Sequence, residues 1–453
     1  MGRITLQQAA QWCGGRIDPK YKDVTFFGAN NDTRKLESGQ LFVALKGTRD
    51  GHDFIPAALE KGAAAVLCTN CDGDYPAIVV EDTRIALGQI AMGERQRLEI
   101  KVVAVTGSVG KSTTKEMIAA VLSDTYRVAK TPANHNNDIG MPMAILAIPE
   151  DTQIAVLEMG MNHFREIAYL TNIAKPDAAV IVNIGTMHIE HLGSVEGILQ
   201  AKLEILEGMA DDSCVIINGD DALLWNQHKT DRYKTTYFGS QNAQCNVVAR
   251  NVQEREGGIC YQAVTADGSF EISLALEGMH YVCDSLAAVS VGLQFGVSQD
   301  VIRNALARFE NMAGRQEIFE KNGYTIIKDC YNAGPESMEA ALNVLGGRSG
   351  RRVAVLGDML ELGVCSPAEH YRIGRIAADK ADMIFAYGPN SDRVVSGALT
   401  GGMRSSRARS FEDRDKLVQA LRIAVKPGDV LLFKGSRGMK MELALEGLLQ
   451  EEK

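Results

Sequence analysis

At 453 residues the chain is long enough for about three domains, each with a buried core of its own. Apolar residues make up 45% and charged residues 23%, as in an ordinary soluble globular protein, and the net charge of −9 excludes a general nucleic-acid binder, which would need a basic stripe. No run of 18 apolar residues occurs and residues 1–20 lack an apolar stretch, so neither a membrane span nor a signal peptide is expected.

Residues 1–98 read as a smaller α/β domain: a polar opening, then a strand at 41–45, a helix over 54–61 and a strand at 64–67. Cys68-Thr-Asn-Cys71 is a single C-x-x-C without a second pair and reads as incidental. The nine cysteines are scattered, which suits reduced thiols and a cytoplasmic setting. Residues 99–313 alternate strands at 102–105, 154–157, 178–184 and 214–217 with helical stretches. These are continuous apolar runs, the pattern of parallel strands covered on both faces. From 246 to 277 the residues alternate instead and are broken by Gly257-Gly258 and Asp267-Gly268, predicting an antiparallel hairpin patch. Helices over 279–295 and 299–309 follow. Residues 314–453 resume the alternation, with strands at 324–328, 353–356, 383–387 and 430–433.

The sharpest signal is Thr106-Gly-Ser-Val-Gly-Lys-Ser-Thr-Thr114, between an apolar strand and a helix whose Met117, Ile118, Val121 and Leu122 share one face. Backbone N–H groups and the helix dipole can hold nucleotide phosphates there, Lys111 can reach the terminal phosphates, and the Ser112 hydroxyl can ligate Mg²⁺. The loop is compressed: Val105 stands where the first glycine of the longer pattern would be.

Ligands of parallel sheets sit beyond the carboxyl ends of the strands. Glu158, ending the strand at 154–157, is therefore a candidate Mg²⁺ ligand or a solvated strand-end residue. His188 follows the strand at 178–184, a weak signal by itself. In the helix predicted over 195–209, Lys202 flanks the apolar face of Ile198, Ala201, Ile205 and Met209. A snorkelling lysine is the plainer reading of that spacing; a buried, neutral amine able to take up CO₂ as a carbamate is the other. Asn134-His-Asn-Asn-Asp-Ile-Gly140, Asp329-Cys-Tyr-Asn332, Lys434-Gly-Ser-Arg437, Asp32-Thr-Arg34 and Lys46-Gly47 are polar clusters in expected loops.

Together these stretches resemble the Mur ligases, the ATP-dependent amide-forming enzymes of peptidoglycan assembly, along nearly the whole chain. The short phosphate loop is the family's own form. Asn136-Asn-Asp-Ile-Gly-Met-Pro142, Asp329-Cys-Tyr-Asn-Ala333 and Gly357-Asp-Met-Leu-Glu-Leu-Gly363 resemble the member that joins D-alanyl-D-alanine to UDP-N-acetylmuramoyl-tripeptide. The resemblance implies a central P-loop-type, mostly parallel sheet at 99–313 that binds ATP. It implies a Rossmann-like domain at 314–453 for the dipeptide and the α/β domain at 1–98 for the UDP-sugar peptide. Lys111, Glu158, His188 and Lys202 would carry the reaction through an acyl phosphate. Ser112, Glu158, His188 and a carbamylated Lys202 would hold two Mg²⁺ ions. ATP positions fall on Gly107, Ser108, Val109, Gly110, Lys111, Ser112, Thr113, Asn137, His280, Arg315, Asp329 and Asn332, and substrate positions on Asp32, Thr33, Arg34, Lys46, Lys434, Ser436 and Arg437. A monomer without nucleic-acid or membrane partners is expected. Two residues depart from the family pattern: Tyr281 stands where an Asn often follows the histidine, and Asp284 replaces a common Asn. Folylpolyglutamate synthetase shares the ligase machinery but not a first domain like residues 1–98, and a nucleotide-gated binding module without ligation is the reading from another class.

Overall fold

The computed structural model describes residues 3–227 and 232–450, so the outermost residues of the first and third segments lie outside it. Three larger sheets in chain order make three α/β domains, the first of which also holds a two-stranded antiparallel pair, Ile4–Thr5 with Thr25–Phe26. Among the described residues, no helix is long and apolar enough to cross a membrane.

In the first domain Ala29–Asn30, Leu41–Val43, Ala65–Cys68 and Ala77–Val79 form a parallel sheet. The strand expected at 41–45 is shorter, and the helix expected over 54–61 divides into a 3₁₀ turn, Gly51–Phe54, and a helix, Ile55–Glu60, with proline in its first turn.

The central sheet runs Val128–Lys130, Ile154–Glu158, Lys101–Thr106, Ala178–Ile181, Cys214–Asn218 and Lys234–Gly239, all parallel. Val102, Val103, Val105, Val156 and Val180 are wholly buried, as continuous apolar runs require; each valine so covered contributes roughly 1.5–3 kcal/mol. The alternating region is a three-stranded antiparallel meander, Val247–Arg255, Gly258–Thr265 and Gly268–Leu274, and it continues this same sheet.

Two central elements end earlier than periodicity predicts. The strand expected at 178–184 stops at Ile181, because the Asn183 side chain turns to bond the phosphate loop. The helix expected over 195–209 spans Val195–Leu203 and tightens into a 3₁₀ turn, Glu204–Gly208. There the Glu204 carboxylate accepts the backbone N–H groups of Arg165 and Ala168, and the Thr171 hydroxyl donates to the Ile205 carbonyl. Tertiary bonds thus replace the next helical ones.

The third sheet pairs Glu317–Lys321 antiparallel with Tyr324–Asp329 and continues in parallel through Asp429–Lys434, Arg351–Gly357, Met383–Tyr387 and Ala408–Phe411. The two domain boundaries differ in kind. The helix Thr83–Arg97 packs on Gly140–Leu146 and Glu166–Ala174, and Leu87, Ile90 and Ala91 share one core with Val102, Ala104 and Leu157. Among the described residues no apolar core joins the third domain to the others; its cores are its own. Polar contacts such as Arg348 to Glu277 (2.6 Å) cross that boundary instead, an interface across which domains move readily.

Candidate nucleotide and ligation site

The carboxyl ends of Lys101–Thr106, Ile154–Glu158 and Ala178–Ile181 meet those of Tyr324–Asp329 and Asp429–Lys434 around a cavity of 470 Å³ between the central and third domains. Its floor is the phosphate loop. The following helix, Lys111–Ser123, begins at Gly110 without any side-chain cap, so its first N–H groups face the cavity. Gly110 has φ +82, and a Cβ there would stand 2.5 Å from the Asp284 carboxyl, so glycine is required twice over. Asn183 accepts from the N–H groups of Ser108 and Val109 and donates to the Val109 carbonyl, pinning the loop to the sheet edge. The Ser108 hydroxyl accepts from Gly185 N–H. Lys111 folds back to donate to the carbonyls of Gly107 (2.7 Å) and Ser108 (3.2 Å), and burial lowers its pKa.

Glu158 is buried at the cavity wall. Its Oε1 accepts from the Asn136 amide at 2.8 Å, while its Oε2 has no hydrogen bond. Lys115, completely buried one turn past Lys111, donates to the Thr131 carbonyl at 2.7 Å and lies 3.8 Å from Glu158 Oε2. His188 lines the cavity at the start of the short helix Ile189–Leu192. Lys202 is 2% exposed and has no hydrogen-bond partner among the described residues, which removes the snorkelling reading. Burial, and secondarily the Lys111 charge, lower its pKa well below the usual ammonium value. It is not among the residues that line the cavity. Among the described residues no three His, Cys, Asp or Glu side chains gather as a metal cluster.

His280, Arg315, Asp329, Asn332 and Lys434 complete the wall. Burial holds the His280 imidazole down to about 4, so it is neutral. Arg315 lies 4.0 Å over the Tyr331 ring and donates to the Ser112 hydroxyl at 3.3 Å. Lys434 donates to Asp329 at 2.6 Å and to the Asn332 carbonyl at 3.0 Å, which ties it to those two residues. Ser436 is a buried stitch between the Leu360 N–H and the Ala333 carbonyl, and Arg437 is exposed and paired with Glu442. Neither lines the cavity, nor do Asp32, Thr33, Arg34 and Lys46 of the first domain. Arg34 clasps Asp32 at 2.8 Å and holds its carboxyl down to about 2; Lys46 is exposed. Asn137 lines the cavity while its Oδ1 accepts from Ile139 and Gly140 N–H groups.

Comparison with known proteins decides the family. Residues 28–106 match the model of the Mur ligase family catalytic domain, 105–292 the Mur ligase middle domain, and 314–437 the Mur ligase glutamate ligase domain. The UDP-N-acetylmuramoyl-tripeptide–D-alanyl-D-alanine ligase of Bacillus subtilis is 40% identical over 99% of both chains, and that of Escherichia coli 36% over 98% of both. The chain belongs to the Mur ligase family. Among solved structures, MurF from Acinetobacter baumannii superposes with a TM-score of 0.92 at 32% identity over the whole of both chains. MurF ligase from Thermotoga maritima in complex with ADP gives 0.83 at 30% identity over 93% of this chain and 97% of that one.

In this Mur ligase the two departing residues are both built into the site. Tyr281 is 3% exposed and its hydroxyl accepts from the Asn311 amide, filling space an Asn would leave. Asp284 lies beneath Gly110, accepts from the Thr114 hydroxyl at 3.0 Å, and is pushed up to about 8 by burial. Sequence reasoning passed over Lys115, Asn183 and Glu336. Lys115 was legible only as the residue one helical turn after Lys111. Glu336, reading as an ordinary helix-start residue after Pro335, crosses the domain boundary to accept from Thr186 N–H at 2.8 Å and its hydroxyl at 2.9 Å.

Proposed function

We propose that this ATP-dependent Mur ligase joins D-alanyl-D-alanine to UDP-N-acetylmuramoyl-tripeptide, forming the pentapeptide precursor of peptidoglycan with release of ADP and phosphate. The observation that carries the reading is the uncapped phosphate-loop helix opening into a cavity shared by two domains. It is supported by the end-to-end similarity to ligases of that name.

The tripeptide's terminal carboxylate is a poor electrophile. Transfer of the γ-phosphoryl group from ATP makes it an acyl phosphate, the dipeptide's amine adds to the carbonyl, and phosphate departs as the amide forms and the amine loses its proton. The enzyme's part is positioning and charge neutralisation. The N–H groups of Gly110, Lys111, Ser112 and Thr113 cradle phosphate, and Lys111 exchanges its two loop carbonyls for the terminal phosphates. Arg315 and Asn332 hold the nucleotide from the third domain, beside Asp329, and neutral His280 lies against it. Residues 1–98 hold the UDP-sugar peptide through Asp32, Thr33, Arg34 and Lys46, residues 99–313 hold ATP, and residues 314–453 hold the dipeptide near Lys434, Ser436 and Arg437. Closing the third domain keeps water from the acyl phosphate.

Ser112, Glu158 with its hydrogen-bond-free Oε2, and His188 line the cavity and would hold Mg²⁺ there; Lys202 does not line it and would join them only through the added length of a carbamate. When bound, such ions screen phosphate charge and polarise the transferred group. A neutral Lys202 amine adds CO₂ through Nζ and loses one proton, and the carbamate supplies the anionic oxygens that lysine lacks. ATP and a UDP-linked substrate fit a cytoplasmic enzyme.

Phosphate release from ATP that needs both UDP-tripeptide and D-alanyl-D-alanine tests the reading, and running lysine- and diaminopimelate-containing tripeptides side by side assigns the third residue. Turnover with a folate and glutamate in their place, or nucleotide binding without turnover, refutes it.

A further inference from the structure

Glu361 belongs to the stretch Gly357-Asp-Met-Leu-Glu-Leu-Gly363, which the reaction as proposed leaves without a task. It follows the strand Arg351–Gly357 of the third domain and reaches across the polar boundary to the central one. Its Oε2 lies 2.7 Å from His188 Nδ1, at ion-pair distance but off the line of a hydrogen bond. Both residues hold left-handed backbone, φ +64 at Glu361 and +66 at His188, although neither is glycine. Such a conformation costs on the order of 1–3 kcal/mol and persists where surrounding structure enforces it, commonly at functional sites. Here the enforcement is visible: the turn Gly363–Cys365 packs on the helix Ile189–Leu192, and Gly363 sits against Glu190. The His188 side chain is only 14% exposed, and with Nδ1 facing Glu361 its Nε2 is the ring nitrogen left for the cavity it lines.

We propose that Glu361 is a positioning residue for His188: from the third domain it selects the tautomer protonated on Nδ1 and aims Nε2 into the cavity, so that the metal site is complete only when the third domain is seated. The inference rests on the reading of His188 as a metal ligand. A carboxylate behind a ligating imidazole raises its basicity and fixes its ring, and losing such a partner weakens metal binding roughly ten- to a hundredfold. The polar boundary supplies the coupling, since among the described residues no shared apolar core holds the third domain against His188 when ligands leave.

Glu361→Ala and Glu361→Gln in the full chain test this, with His188→Ala as reference. Mn²⁺ binding is read from the electron paramagnetic resonance signal of the free ion, with and without ADP, alongside ADP affinity in the absence of metal. Glu361→Ala is expected to weaken Mn²⁺ by roughly ten- to a hundredfold, and Glu361→Gln by less, since its amide oxygen keeps a partial negative charge facing Nδ1. Metal-free ADP affinity stays at the wild-type value in both, and lost ligation returns at high Mg²⁺. A mere latch between domains predicts wild-type Mn²⁺ affinity and a ligation defect that Mg²⁺ does not relieve, which overturns the proposal while His188→Ala still loses metal. Wild-type Mn²⁺ affinity in His188→Ala overturns the reading of His188 and the proposal with it. Should Glu361→Ala fail to fold, Glu361→Gln decides, because it keeps the size and shape of the side chain.

Discussion

Asp284→Asn should make this ligase more stable, by an amount that grows with pH. The carboxyl is 3% exposed beneath the phosphate loop; burial raises it from 3.8 to about 8, more than the Thr114 hydroxyl and the Arg315 charge lower it. Between those two values the folded chain keeps a proton that the unfolded chain releases. Stability therefore falls as pH rises through that window and is flat below 3.8 and above about 8. At pH 7 the gap of 3.2 units, 7 less 3.8, amounts to about 4 kcal/mol at 1.36 kcal/mol per unit. Asparagine keeps the shape and the oxygen that accepts from Thr114 but does not titrate. Urea midpoints followed by the fluorescence of Trp12 and Trp225 should show the variant pulling ahead by about 1.4 kcal/mol per pH unit between pH 5 and 8, with a constant gap above. Parallel profiles would refute the reasoning, because they would mean that Asp284 is ionised in the folded state and that Arg315 outweighs burial.

Lys111→Ala should lower ligation at least about a hundredfold while leaving thermal unfolding near wild type, since the phosphates lose their cation and the helix keeps its start. Gly110→Ala combines left-handed backbone with a Cβ 2.5 Å from Asp284, so calorimetry should show ADP affinity reduced by about tenfold or more. Lys202→Ala should cost at least about a hundredfold in rate and be partly rescued by short-chain carboxylic acids, which stand in for the carbamate; a modest loss unaffected by added acid would exclude the carbamate. ATP should bind before the dipeptide, so titration of D-alanyl-D-alanine into nucleotide-free enzyme should show no tight binding.

Chemistry that local sequence dictates was legible. Continuous apolar, β-branched runs such as Val102-Val-Ala-Val105 fit parallel strands covered on both faces, and a glycine loop between strand and helix puts N–H groups at the sheet's carboxyl edge, with Glu158 ending the neighbouring strand. These follow from the period of the chain and the chirality of its turns. What the sequence could not determine depends on neighbours far along the chain. Periodicity carried the helix from Val195 past Leu203, yet Thr171 and the Arg165 and Ala168 amides captured its next turn. Spacing left Lys202 between snorkelling and burial, and only the folded chain shows it buried. Glu336 and Glu361 meet their partners only when the third domain is set against the central one, and Lys434 meets its own only when two distant strands of the third sheet pair. Their partners, Thr186, His188 and Asp329, each lie more than a hundred residues away along the chain, and only strand pairing and the packing of one domain on another bring these groups within bonding distance.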